Sequence, residues 1–170
     1  GFNADPPAPA RAQRNLRDIL AMAIQAILFD VYGTLLDVHS AIAREGRSLG
    51  PQADAVSRLW RQKQLEYTWV YSLRGEYRSF RALTEGALDF ALAAHGAASP
   101  ALRENLLRAY EHLAPYAEAT SALAELRRKG LRLAALSNGD SDMLESGLVS
   151  SRLKPQLDAV LSVAPLRIFK

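Results

Sequence analysis

Apolar and polar positions change their spacing along this chain, and the changes divide it into elements. Ile24 to Phe29 is an apolar run, as expected for a strand buried on both faces of a parallel sheet. It ends in Asp30, within "FDVYGTLLD", so that a carboxylate is presented on a tight turn with Tyr32 two positions on. Residues 38–113 hold no comparable run and are rich in Ala, Leu, Arg and Glu, which predicts about four helices. A helix over Ala55–Leu73 places Val56, Leu59, Trp60, Tyr67, Val70 and Tyr71 on one broad apolar face. Arg61, Gln62, Leu65, Trp69 and Ser72 fall on the other, where hydrogen-bond donors mixed with Leu and Trp suit a pocket wall. An exposed arginine bridging a nearby glutamate is the plainer alternative for Arg61.

Helix and strand then alternate. "YAEATSALAELRRKG" is an amphipathic helix stopped by Gly130, with basic residues in its last turn. "LRLAALSNGD" is a second strand ending in a polar turn, "SDMLESGLVSS" a shorter helix, and "LDAVLSV" a third strand. This spacing predicts an α/β fold: a doubly wound parallel-sheet, Rossmann-like core over residues 24–37 and 115–170, with an inserted helical cap subdomain over 38–114. Residues 1–23, with three prolines between positions 6 and 9, read as a leader or appendage in which Arg11 to Ala21 forms a short helix. Ligands of such sheets bind at the carboxyl ends of the strands, where Asp30 and Ser137-Asn138 fall. Either feature alone is more often a turn or a helix cap; the two together, with a helical insertion able to fold over both, mark a site.

Composition narrows the partners. The 21 Lys and Arg are interleaved with 18 Asp and Glu, and the densest basic run is Arg127 to Lys129, so no concentrated face for nucleic acid is expected. The absence of cysteine excludes disulfides and thiolate metal sites. No stretch approaches the ~18 uninterrupted apolar residues of a membrane span. A soluble, cytoplasmic protein is the expectation.

"FDVYGTLLD", "LSNGD" and "SVAPLRIFK" resemble, in order, the first three motifs of the haloacid dehalogenase superfamily. "LWRQKQLEYTWVYSL" and "LAPY" narrow the resemblance to the L-2-haloacid, or type II 2-haloacid, dehalogenases. It covers Ile24 to Lys170. Phosphatases of the superfamily carry an aspartate two residues after the nucleophile to protonate a leaving alkoxide, with magnesium neutralising the phosphate. A halide leaves unprotonated, so an enzyme that expels one can place Tyr32 there, as a pocket wall or as plain packing.

The resemblance implies Asp30 as nucleophile, Arg61 and Asn138 as donors to the departing halide, and Lys170 as the cation beside Asp30. Ser137 and Thr34 would position the carboxylates, while Val31, Tyr32, Gln62, Leu65 and Phe80 would line the pocket. It implies no cofactor, no metal, a small 2-haloacid substrate and a homodimer. His39 is expected to be structural. A superfamily phosphatase, or a non-catalytic interaction protein, are the alternatives. The resemblance departs at Lys170, where the family continues through a tyrosine and a fourth motif with a Ser, an Asn and an Asp; the C-terminal part of the core is thus expected to be absent from this chain. The sequence is then either a fragment or a truncation impaired in the water-dependent half-reaction, and "AIQAILF" would become an edge strand.

Overall fold

The computed structural model describes residues 24–170; the expected leader and its Arg11–Ala21 helix lie outside the described residues. Three parallel strands form one sheet in the order β1-β2-β3: β1 Ala26–Phe29, β2 Arg132–Ser137 and β3 Ala159–Ser162. Phe29 lies opposite Ala135, and Ser137 opposite Ser162, so all three strands deliver their carboxyl ends to one edge. In central β2, Leu133, Ala135 and Ser137 are buried, whereas the alternate residues are more exposed.

Burial of β1 on both faces does not hold. Ala26 and Leu28 are exposed, Leu28 at 56%, and Ile27 and Phe29 are only partly buried. Among the described residues β1 pairs with β2 alone.

Between β1 and β2 come α1 (Ser40–Glu45), a 3-10 turn (Gly46–Gln52), α2 (Ala53–Leu73), α3 (Phe80–Ala94), α4 (Pro100–Tyr110) and α5 (Ala119–Arg128). The helix α6 (Ser141–Ser150) joins β2 to β3. Serine side chains start two of these helices: Ser79 Oγ accepts from Ala82 N–H on α3, and Ser99 Oγ from Leu102 N–H on α4, where Pro100 takes a position needing no N–H. The chain enters and leaves the α1–α4 stretch through adjacent segments, since Leu36 bridges Pro115 and Asp37 N–H donates to Ala114 C=O at 2.8 Å. One continuous core cluster runs from Leu133 and Ala135 of the sheet to Leu88 and Leu106 of the helices.

The buried stripe of α2 also differs from the expected face. It consists of Val56, Ser57, Trp60, Gln64 and Thr68, while Val70 is 48% exposed and Leu59, Tyr67 and Tyr71 are partly so. Polar residues displace apolar ones there because partners are waiting: Gln64 bonds Thr84 and Tyr110, and Thr68 Oγ1 donates to Leu65 C=O at 2.7 Å.

Candidate active site

Asp30 leaves β1 into a compact turn. Leu35 and Leu36 N–H both donate to Val31 C=O at 2.9 Å, and Gly33 N–H donates to Leu36 C=O at 2.8 Å. Gly33 has φ +93°, a left-handed value that a side chain resists, and a methyl there would meet Arg61 Nη2 at 3.2 Å. The turn therefore needs glycine both for its own backbone and for the arginine that closes over it.

Lys170 Nζ stands 2.8 Å from Asp30 Oδ1, with both side chains partly open to solvent. Its backbone N–H donates to Asn138 Oδ1 at 2.8 Å, so the segment carrying the cation is tied to the end of β2. The Lys170 ammonium thus meets the carboxylate in a direct ion pair at the end of β1.

Tyr32 is buried at 4% exposure, its ring 5.2 Å from Phe80 and 5.6 Å from Tyr110, nearly parallel to the latter. Burial, reinforced by Tyr110 and Asp140 nearby, pushes its hydroxyl well above the usual tyrosine range, so it stays a neutral wall. The ring also presses on the second motif: a methyl on Gly139 would lie 2.6 Å from Tyr32 Cε2. The Tyr32 carbonyl, meanwhile, accepts from Arg61 Nη2 at 2.7 Å, and Arg61 Nη1 donates to Gln64 Oε1 at 2.8 Å. Arg61 thus reaches from α2 onto the turn that presents Asp30.

Each residue of "SNGD" has a separate duty. Ser137 is buried, and its Oγ accepts from Gly139 N–H at 3.2 Å. Asn138 holds Lys170, and Gly139 admits the Tyr32 ring. Asp140 Oδ2 accepts from Arg81 N–H at 3.0 Å, a carboxylate at the N-terminus of α3 that ties this helix to the end of β2. The Arg81 guanidinium extends the tie through Glu111 and Asp142, each at 2.7 Å. Partial burial raises the Asp142 carboxyl, but the bonds from Arg81 and Met143 N–H outweigh it and leave the carboxyl below its usual value.

The family model for haloacid dehalogenase-like hydrolases matches residues 24–170. The chain belongs to this family. It is 44% identical over 149 residues to (S)-2-haloacid dehalogenase 4A of Burkholderia cepacia, covering 87% of this chain and 64% of that protein. It is 43% identical over 148 residues to the (S)-2-haloacid dehalogenase of Pseudomonas sp. strain YL, covering 86% and 64%. The structure of L-2-haloacid dehalogenase from Xanthobacter autotrophicus with chloropropionic acid covalently bound matches with a TM-score of 0.78 at 38% identity, over 87% of this chain and 60% of that one. This chain therefore spans 64% of the length of the two curated relatives.

In this haloacid dehalogenase-like hydrolase the structure gathers Asp30, Tyr32, Arg61, Phe80, Asn138 and Lys170 around the carboxyl ends of β1 and β2. Val31 is fully buried and Leu65 partly. Gln62 is exposed and donates to Glu66 at 2.6 Å, and Thr34 is exposed on the turn that follows Asp30. Ser137 holds its own turn rather than Asp30. His39 Nδ1 meets Ser57 Oγ at 2.8 Å, which ties α1 to α2. The reading from the sequence missed Gln64, Thr84 and Tyr110; the available signal was a glutamine one turn beyond Trp60 on the buried stripe. Among the described residues no group of three or more His, Cys, Asp or Glu is placed to hold a metal ion.

Proposed function

We propose that the protein is an L-2-haloacid dehalogenase, converting short L-2-haloalkanoates to D-2-hydroxyalkanoates through an ester on Asp30. The observation that carries this reading is the Asp30–Lys170 pair at 2.8 Å, followed two residues on by a buried tyrosine where an acid would serve an alkoxide leaving group. An Asp30 oxygen attacks C2 in line with the carbon–halogen bond; the new C–O bond forms as the halide leaves with the bonding pair, and C2 inverts. Water then attacks the ester's carboxyl carbon, not C2, releasing the hydroxy acid and a proton and restoring the carboxylate. Arg61, fixed over the turn, supplies N–H donors to the halide as charge develops, and Asn138 Nδ2 supplies another. Residues 38–114 act as the cap over this site, and no cofactor or metal takes part. The protein works in the cytoplasm as a homodimer and binds neither nucleic acid nor membrane; no helix among the described residues is long and apolar enough to cross one.

The test is halide release from L-2-chloropropionate, compared with phosphate release from a generic phosphate ester with magnesium. Asp30→Asn should abolish the first while leaving the melting curve nearly unchanged, because the amide is isosteric but a far weaker nucleophile. Wild-type turnover by Asp30→Asn, with reversion of the amide to Asp excluded by mass, would refute the covalent mechanism. A strict magnesium requirement would favour the phosphatase.

A further inference from the structure

Position 64 lies on the buried stripe of α2, between Trp60 and Thr68, where an apolar side chain would satisfy the helical pattern. Gln64 is 1% exposed, and a buried amide is unfavourable unless its hydrogen-bonding groups are met. Its surroundings dictate which way it points. The Thr84 hydroxyl donates to Phe80 C=O at 2.7 Å, so a lone pair faces Gln64, and Nε2 must be the atom that meets it at 2.6 Å. The amide oxygen is thereby turned to Arg61 Nη1, 2.8 Å away. Tyr110 Oη closes the other edge, 3.0 Å from Nε2 and 3.2 Å from Oε1. Burial pushes the Tyr110 hydroxyl up to about 12, although Arg61 and the Gln64 bond pull it down, so it remains a neutral partner.

We propose that Gln64 is a positioning residue: with the Tyr32 carbonyl, it holds the Arg61 guanidinium in one plane, so that the remaining N–H bonds face the departing halide before it leaves. The inference rests on the dehalogenase reading and adds a residue to it. Two acceptors of fixed position remove the reorganisation that a free guanidinium would undergo as charge develops. A neutral amide can do this without cancelling the arginine's charge, which a carboxylate in the same place would do. That is the physical reason for glutamine rather than glutamate one turn along from Arg61.

The test uses the full chain with Gln64→Met, which keeps the volume and removes the acceptor, and Gln64→Glu, which keeps an acceptor and adds a charge. Nitrogen NMR of the Arg61 side chain reads rotation of the guanidinium, independently of any activity. Gln64→Met should free that rotation; Gln64→Glu should keep it slow. Turnover of L-2-chloropropionate should fall about 10- to 100-fold in both variants, as expected for a misplaced or neutralised catalytic group. Chloride leaves less readily than bromide and needs more assistance, so the bromo-to-chloro rate ratio should rise, whereas a general loss of structure lowers both rates together. An unchanged rotation in Gln64→Met, or an unchanged rate ratio, overturns the proposal. If Gln64→Met does not fold, Thr84→Val, which releases the amide from the far side, should also free the rotation, and its failure to do so is equally decisive. A wild-type chain that releases no halide rejects the dehalogenase reading, and the rotation measurement still decides whether Gln64 positions Arg61.

Discussion

Gly139→Ala probes the contact between the first two motifs. The added methyl would lie 2.6 Å from Tyr32 Cε2 and 3.1 Å from Leu144 Cδ2. Carbon pairs are most stable at about 3.5–4.0 Å, so relief requires roughly 0.9–1.4 Å of movement by the ring or the turn. Tyr32 has little room to retreat, since Phe80 and Tyr110 hold it at centroid distances of 5.2 and 5.6 Å. Overfilling a packed site of this kind costs about 1–3 kcal/mol. At about 2–4 °C per kcal/mol for a chain in this size class, the melting midpoint should fall by roughly 2–12 °C in calorimetry. Shrinking the ring with Tyr32→Leu should relieve the clash, so Gly139→Ala should cost less in that background, with a coupling of about 0.5–3 kcal/mol. The strained turn also carries Asn138 and Asp140, so halide release should slow as the tethers to Lys170 and Arg81 shift. An unchanged midpoint, or strict additivity with Tyr32→Leu, would refute the reasoning.

Arg61→Ala should slow formation of the Asp30 ester about 10²- to 10³-fold, and Arg61→Lys should rescue it poorly because an ammonium lacks the planar fork; rapid-quench mass spectrometry of the ester reads both. The Leu133 N–H bond to Asp158 Oδ2, at 2.7 Å, holds that carboxyl below its usual value, with Arg127 and Arg132 helping. Its contribution to stability is therefore present above the unfolded-state value and lost as pH falls through the folded one, so Asp158→Asn should flatten part of the acid fall in melting temperature read by circular dichroism. Tyr110 is raised from 10.0 to about 12 by burial, so the sign is opposite: its contribution is complete below pH 10 and is lost as pH rises towards 12. Tyr110→Phe should reduce the alkaline fall in melting temperature, and Tyr32, also raised by burial, should maintain part of it.

Much of this protein is determined within short windows of its sequence. An apolar run closed by Asp30, the return of strand patterning at Leu131, and Gly130 after a basic helical turn depend on backbone preference and local periodicity, and these elements form where the pattern puts them. The same local chemistry identifies Asp30 and the "SNGD" turn as facing the carboxyl edge of the sheet. Tertiary structure decided what these residues touch. Arg61 reaches a carbonyl 29 residues away, and Lys170 is tied to a side chain 32 residues away, through contacts set by helix docking and sheet register. The burial of Gln64 shows the same division. A helix's periodicity does not foresee that a threonine and a tyrosine on other helices will satisfy an amide. Gly139 is the sharpest case: its turn looks ordinary in the sequence, and only the packed ring of Tyr32 makes the missing side chain necessary.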